Sequence, residues 1–258
     1  QELFRFLQQW NIEKIHCMTN TETNLAFHMQ AQTPTCFFNL HKIPRKNAIQ
    51  IYDNRQKQYI EFDNSVYINK LFSLPLFAPS IRKVGYLNVI KTSMRPDYKN
   101  LTVTKIPDDV HKHPNIKTCI LNKLQPEMIV NFSNRKCVYS GVPKLILAHK
   151  MYGFPFIDTS GLYGISNRDN YVITGKNDRE YARLKQFLST KLAFVVYKST
   201  RYRMRYLEKY AFEFIPDITK LHDFPENITN ETVSDYFKLN EMERKCLETV
   251  TKKEYLTF

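Results

Sequence analysis

The chain has 258 residues, 43% of them apolar, which is enough to bury one large core or two modest ones and too apolar for a disordered protein. Its 38 Lys and Arg against 25 Asp and Glu leave a formal charge of +13, an excess that favours a polyanionic partner through counterion release. No run approaches the roughly 18 apolar residues of a membrane span, and the first residues lack the basic and apolar regions of a signal peptide. The expectation is an intracellular, cytoplasmic protein with no membrane partner.

In chain order, Leu3, Phe6, Leu7 and Trp10 fall at i, i+3, i+4, i+7, the pattern of an amphipathic helix. Ile12–Cys17, Phe27–Gln30 and Thr35–Leu40 alternate as strands do, and Ala48–Tyr52 with Gln58–Phe62 reads as a strand pair around a polar turn. A helix is expected over Asn64–Leu74 and a short one near Ala78–Val84. From Asn88 to Lys136 the signals are short and polar, broken by Pro96, Pro107, Pro114 and Pro126. Pro143–Ala148 reads as a buried strand, and Phe154–Asp158 and Asn170–Thr174 flank a glycine-rich excursion. Asn177 followed by Glu180 predicts a capped helix carrying Tyr181, Leu184, Phe187 and Leu188. Ser189 is expected to cap a second helix with Leu192, Val195 and Val196. Phe212–Pro216 has strand alternation, and two short helices close the chain near Glu231–Phe237 and Glu241–Val250. The fold class is therefore α/β in the sense of mixed α+β: a short α/β block over residues 1–63, then a mixed domain over 64–258 with a helical tail.

Five of the six glycines lie between Gly141 and Gly175, so one irregular, loop-bearing region stands in a Gly-poor protein. It leads through the two helices into Arg201-Tyr202-Arg203-Met204-Arg205-Tyr206. On a strand, Arg201, Arg203 and Arg205 would share a face; on a helix, Arg201 and Arg205 would stack. Guanidinium forks suit phosphates and guanine edges, and Tyr rings offer stacking surfaces. Lys144, His149 and Lys150 bracket the buried strand and are expected to place positive charge at its open end. Tyr163 and Arg168 sit in the glycine-rich excursion, where loops carry recognition on a rigid scaffold. These eight residues form the candidate DNA-binding set; the plainer reading of each is solvated charge or a turn.

Catalytic patterns are missing: there is no phosphate-binding loop, no GxSxG, no HExxH and no GxGxxG. Asp108, Asp109, His111 and His113 read as a polar loop between prolines rather than a metal site, and Asp158 as a turn-forming aspartate. Cys17, Cys36, Cys119, Cys137 and Cys246 are odd in number and lack a CxxC pair, so they indicate neither a disulfide framework nor zinc. Reduced thiols in the core are expected.

Three stretches, taken in order, resemble the C-terminal part of type II adenine-N6 DNA methyltransferases, including fused type IIG restriction–modification enzymes. Glu2–Leu7, Asn11–Ile15, Ala26-Phe27 and Gln32–Leu40 look like the last helix and closing strands of the catalytic domain. Pro143–Leu147, the glycine-rich excursion and Leu184–Leu192 are similar to a target-recognition domain. Val233–Glu243 resembles the acidic helix pair that closes such proteins. The resemblance implies a sequence-reading module that positions duplex DNA for a catalytic methyltransferase domain or subunit. The family's Asn-Pro-Pro-Tyr motif and its S-adenosylmethionine loop are absent from these residues. No catalytic or cofactor-binding residue carries over, and S-adenosylmethionine is implied only for the catalytic part. The chief alternative is a catalytically dead, methyltransferase-like scaffolding protein, with the A/T-rich codon flavour of a large DNA virus; a nuclease or an RNA-binding factor is a third reading.

Overall fold

The structure, a computed structural model, describes residues 9–30, 35–44, 46, 48–53, 57–63, 77–92, 99–122, 125–149, 155–167, 170–199 and 207–250. Most of the helix expected over residues 1–10, the helix expected at 64–74, Lys150, Arg168 and Arg201–Tyr206 lie outside them. The fold is mixed α+β, and the described residues form two compact units, one ending at Asp63 and one beginning at Phe77.

The first unit comprises β1 (Asn11–Cys17), α1 (Asn20–Phe27), β2 (Cys36–His41), β3 (Ala48–Asp53) and β4 (Gln58–Asp63). They make a sheet in the order β2-β1-β3-β4, with β1 and β3 parallel and the outer pairs antiparallel. The strand expected at Phe27–Gln30 is instead the last residue of α1 with its C-cap His28 and the two residues after it. Thr19 accepts from Glu22 N while Glu22 accepts from Thr19 N, so a capping box fixes the helix start and outweighs the alternation. A bulge between Ile12 and Lys14 leaves Glu13 without an opposite residue. Ile12 then joins Ile15, Ile49 and Ile51 in the apolar cluster of one face. On the other face, Phe37, His16, Tyr52 and Tyr59 stand opposite one another across all four strands.

The second unit opens with α2 (Ala78–Val84) and continues through β5 (Ile90–Lys91), β6 (Val103–Thr104), β7 (His113–Asn122), β8 (Gln125–Ser133), β9 (Lys144–Ala148), β10 (Phe156–Asp158), β11 (Gly164–Ile165) and β12 (Asn170–Thr174). These strands form two sheets, β10-β9-β12-β5 and β11-β7-β8-β6. Helices α3 (Asp178–Leu188) and α4 (Lys191–Ser199), two 3-10 turns at Lys209–Phe214 and Ile218–Lys220, α5 (Asn230–Tyr236) and α6 (Glu241–Val250) follow. Every residue of β9 is buried because both of its faces are covered. Ile146 and Val172 pack with Ile116 and Ile165 of the second sheet. Leu145, Leu147 and Ile173, of opposite parity, are as deeply enclosed, and α3 contributes Tyr181, Leu184 and Phe187 to the core. Phe187 meets Phe77, Phe224 and Phe237 ring to ring; each such buried ring contributes roughly 1.5–3 kcal/mol.

Three expectations change in this unit. The region read as short and polar holds the longest hairpin of the described residues, β7 with β8. Its prolines, Pro114 and Pro126, each occupy the second position of a strand, where a missing N–H is tolerated. The strand expected at Phe212–Pro216 is a 3-10 turn through Phe214 with Ala211 and Phe212 buried. Thr190 rather than Ser189 caps α4, accepting from Ala193 N, while the Ser189 hydroxyl donates back to Lys185 O.

Candidate nucleic-acid interface

The glycine-rich excursion is organised from inside by one carboxylate. Asp158 accepts hydrogen bonds from the backbone N–H groups of Leu162 and Tyr163 and from the Ser160 hydroxyl. Its remaining partner is Lys144, whose Nζ lies 2.5 Å from Asp158 Oδ2 and also donates to the carbonyls of Tyr139 and Val142. A buried ammonium needs such a set, since desolvation lowers the Lys144 pKa and the Asp158 carboxylate works in the opposite direction. Gly161, at φ +67°, lies so close to the 139–142 turn that a Cβ would stand 2.6 Å from Gly141 C and Val142 N. The two glycine loops are thus closed against each other by the buried pair.

This corrects the expectation for Lys144, which is completely buried and offers no surface to a phosphate. His149 is half-buried; its ring meets Tyr171 edge to face at 5.7 Å and its carbonyl accepts from Leu207 N. Tyr163 is half-buried against Phe156 and belongs to the apolar cluster between the two sheets. Of the three, Lys144 is the one with no exposed surface. Lys150, Arg168, Arg201, Arg203 and Arg205 fall outside the described residues, so the rest of the predicted set is untouched by this geometry.

Cations do converge elsewhere, at the end of the hairpin where β7 begins and β8 finishes. Lys112 precedes His113, which pairs with Ser133, and Arg135 and Lys136 follow two and three residues after it. Val103 pairs with Ser133 and Thr104 with Phe132, so Lys105 follows within two positions of the same end, beside β8. All four are exposed, and none is held in an ion pair among the described residues. Asp108 in the same connection is committed locally: it accepts from Val110 N, His111 N and the His111 ring, and those bonds hold its pKa below the usual carboxylate range. Asp109 remains an exposed carboxylate beside the cluster. Lys117, the extra residue of a second bulge, is also exposed; its carbonyl, released from the ladder, accepts from Asn170 Nδ2.

Sequence reading missed this cluster because its members are scattered over thirty-odd positions and only the hairpin register unites them. A signal was present in the charge distribution. Residues 76–206 carry 23 Lys and Arg against 8 Asp and Glu, whereas residues 207–258 carry 7 against 11. The basic excess is therefore a property of the two-sheet region and not of the helical tail.

The cations around the start of α3 are in a different state. Arg179 and Arg183 both bind Glu226, and Lys176 donates to Asp217 and Thr219. These groups neutralise one another and leave little free charge. Among the described residues no group of three or more His, Cys, Asp or Glu is arranged to hold a metal ion, and no helix is long and apolar enough to cross a membrane. Compared with known protein families the chain matches none, and no curated protein is similar to it.

Proposed function

We propose that this chain holds and reads duplex DNA as the recognition portion of an adenine-N6 DNA methyltransferase or restriction–modification enzyme, with catalysis supplied by a partner domain or subunit. The observation that carries the DNA-binding half of this reading is the exposed cluster of Lys105, Lys112, Arg135 and Lys136 at one end of the β7–β8 hairpin. It lies in the region that holds most of the basic excess. Four exposed cations around one end of the β7–β8 hairpin, none in an ion pair among the described residues, suit a phosphate backbone, because they release counterions without first breaking such pairs. The methyltransferase partner rests on the sequence resemblance alone.

S-adenosylmethionine belongs to the partner in this reading. Gly161 is packed on the Gly141–Val142 backbone and Gly164 on the Asn115 and Cys137 side chains.

Fluorescence anisotropy with a labelled duplex, repeated across a salt series, tests the reading. The triple variant Lys112→Ala/Arg135→Ala/Lys136→Ala is expected to weaken binding and to make the slope of log K against log salt less negative by about 2–3 units, near 0.9 per lost phosphate contact. Absence of duplex binding at low salt would favour the scaffolding alternative. Unchanged binding by the variant would place the DNA surface elsewhere.

A further inference from the structure

The face of the first sheet opposite its apolar cluster carries an unbroken aromatic row. In register order it runs Phe37 on β2, His16 on β1, Tyr52 on β3 and Tyr59 on β4. Three of the rings are stacked: His16 lies between Phe37 at 4.7 Å and 8° and Tyr52 at 4.1 Å and 13°. Tyr59 turns its edge to Tyr52 and places its hydroxyl 2.9 Å from His16 Nδ1. Lys14 Nζ stands 3.8 Å over the Tyr59 ring. The next row on the same face is polar throughout: Asn39, Lys14, Gln50 and Glu61.

Phe37 is the open end of the stack. Among the described residues β2 is an edge strand, so one side of the ring meets His16 and the other meets no strand; the residue is 53% exposed. We infer that this face binds an unpaired nucleobase of a single-stranded nucleic acid, the base extending the stack on Phe37 with its polar edge toward Asn39. Every base has a π-face, so such a stack tolerates any sequence; Lys14, over Tyr59, lies at the other end of the row. Residues 1–75 carry 8 Lys and Arg against 6 Asp and Glu, so stacking on Phe37, and not charge, is what holds the strand here. An apolar partner fits less well, because the adjoining row presents an amide, an ammonium, a second amide and a carboxylate. The inference rests on the nucleic-acid reading but uses a different unit of the chain from the hairpin cluster.

The test uses three labelled probes with the full chain: an oligothymidylate, an abasic oligomer of the same length and charge, and a duplex. The wild-type protein is expected to bind oligothymidylate at least about tenfold more tightly than the abasic strand. Phe37→Ala is expected to abolish that preference, a loss within the roughly 5- to 100-fold range of one base stack, and to leave duplex affinity unchanged. Phe37→Leu keeps the apolar bulk but not the ring and is expected to behave as Phe37→Ala does; far-ultraviolet circular dichroism checks that both variants fold. Equal wild-type affinity for the oligothymidylate and abasic probes overturns the inference, as does an unchanged preference in a folded Phe37 variant. Loss of duplex binding in the hairpin variant speaks only to the proposed function, so the two readings fail separately.

Discussion

Lys144 Nζ and Asp158 Oδ2 face each other across the first sheet of the second unit with side chains 0% and 2% exposed. Removing one member of a buried pair leaves the other uncompensated at a cost of about 3–5 kcal/mol. Lys144→Met is expected to lower stability by roughly that amount in urea titration. Where the variant is still folded, its affinity for duplex DNA should be unchanged, because the ammonium never reaches solvent. A weakened but uniform binding of all sequences would instead mark Lys144 as a phosphate contact.

Two glycines separate backbone strain from steric closure. Gly161 and Gly175 both have positive φ, at +67° and +74°, but only Gly161 has backbone within reach of an added Cβ; Gly175 has nothing within 4 Å. Gly175→Ala is expected to cost about 1–2 kcal/mol, the strain of the left-handed region. Gly161→Ala is expected to cost clearly more, since the 139–142 turn must also move. Equal losses in thermal unfolding would mean that the two loops are not in contact.

Asp217 predicts an acid-side loss of stability. Burial pushes its pKa up, but hydrogen bonds from Thr219 and Lys176 and the charge of Lys220 outweigh this and hold the carboxyl below its ordinary range. A carboxylate with a depressed folded pKa contributes stability that is complete above the unfolded pKa, near 3.9, and is lost as pH falls through the folded value. Lys176→Met removes one of the groups that lower it, so the folded and unfolded values approach each other. Urea titrations below about pH 5 should show a shallower decline for the variant than for the wild type; parallel curves would remove Asp217 from the account.

Cys17 and Cys36 stand opposite each other at the last pair of β1 and β2, and Met18 N donates to Thr35 O just beyond them. That bond makes the cysteines a non-hydrogen-bonded pair, with Cα atoms about 4.5 Å apart, inside the span a disulfide accepts. Both residues are exposed, contrary to the expectation of core thiols, which only Cys137 meets in full among the described cysteines. A mild thiol oxidant such as copper-phenanthroline is expected to join them within one chain. Partial burial of its sulfur and the neighbouring Cys36 push the Cys17 thiol pKa up, so the reaction should run faster near pH 9 than at pH 7. Peptide mapping reads the outcome, and Cys17→Ser should prevent it.

Much of the local structure was legible because local chemistry decided it. Asn177 and Glu180 form the capping box that their spacing announces, and the apolar run within Pro143–Ala148 is the buried strand expected of it. Asn240 and Glu243 repeat the box at the start of α6. The same rule was present at Thr19 and Glu22, whose box starts α1; Phe27 closes that helix, and His28–Gln30, which alternate as a strand would, lie just beyond it. The hairpin was hidden by its prolines, which break a strand only when its ladder needs their N–H. Lys144 was misplaced for a different reason. Nothing within its own stretch distinguishes a lysine at a wet strand end from one that turns inward to a carboxylate fourteen residues away. The basic hairpin end and the aromatic row are products of strand register, which sequence spacing does not carry across turns.

The bulge at Glu13 gives the first strand a slack residue. Ile12 and Ile15 face the core while Lys14 and His16 face away, and the same division would hold if Glu13 were deleted and the ladder ran straight from Ile12 to Lys14. Relatives of this protein can therefore differ by one residue at that point and keep both surfaces. An insertion between Lys14 and Cys17 has no such freedom: it would reverse the strand beyond it and drive the imidazole of His16 into the isoleucine cluster. Length variation along β1 should accordingly be confined to the bulge, and a homologue with an added residue downstream of it will have given up either the apolar core or the aromatic face.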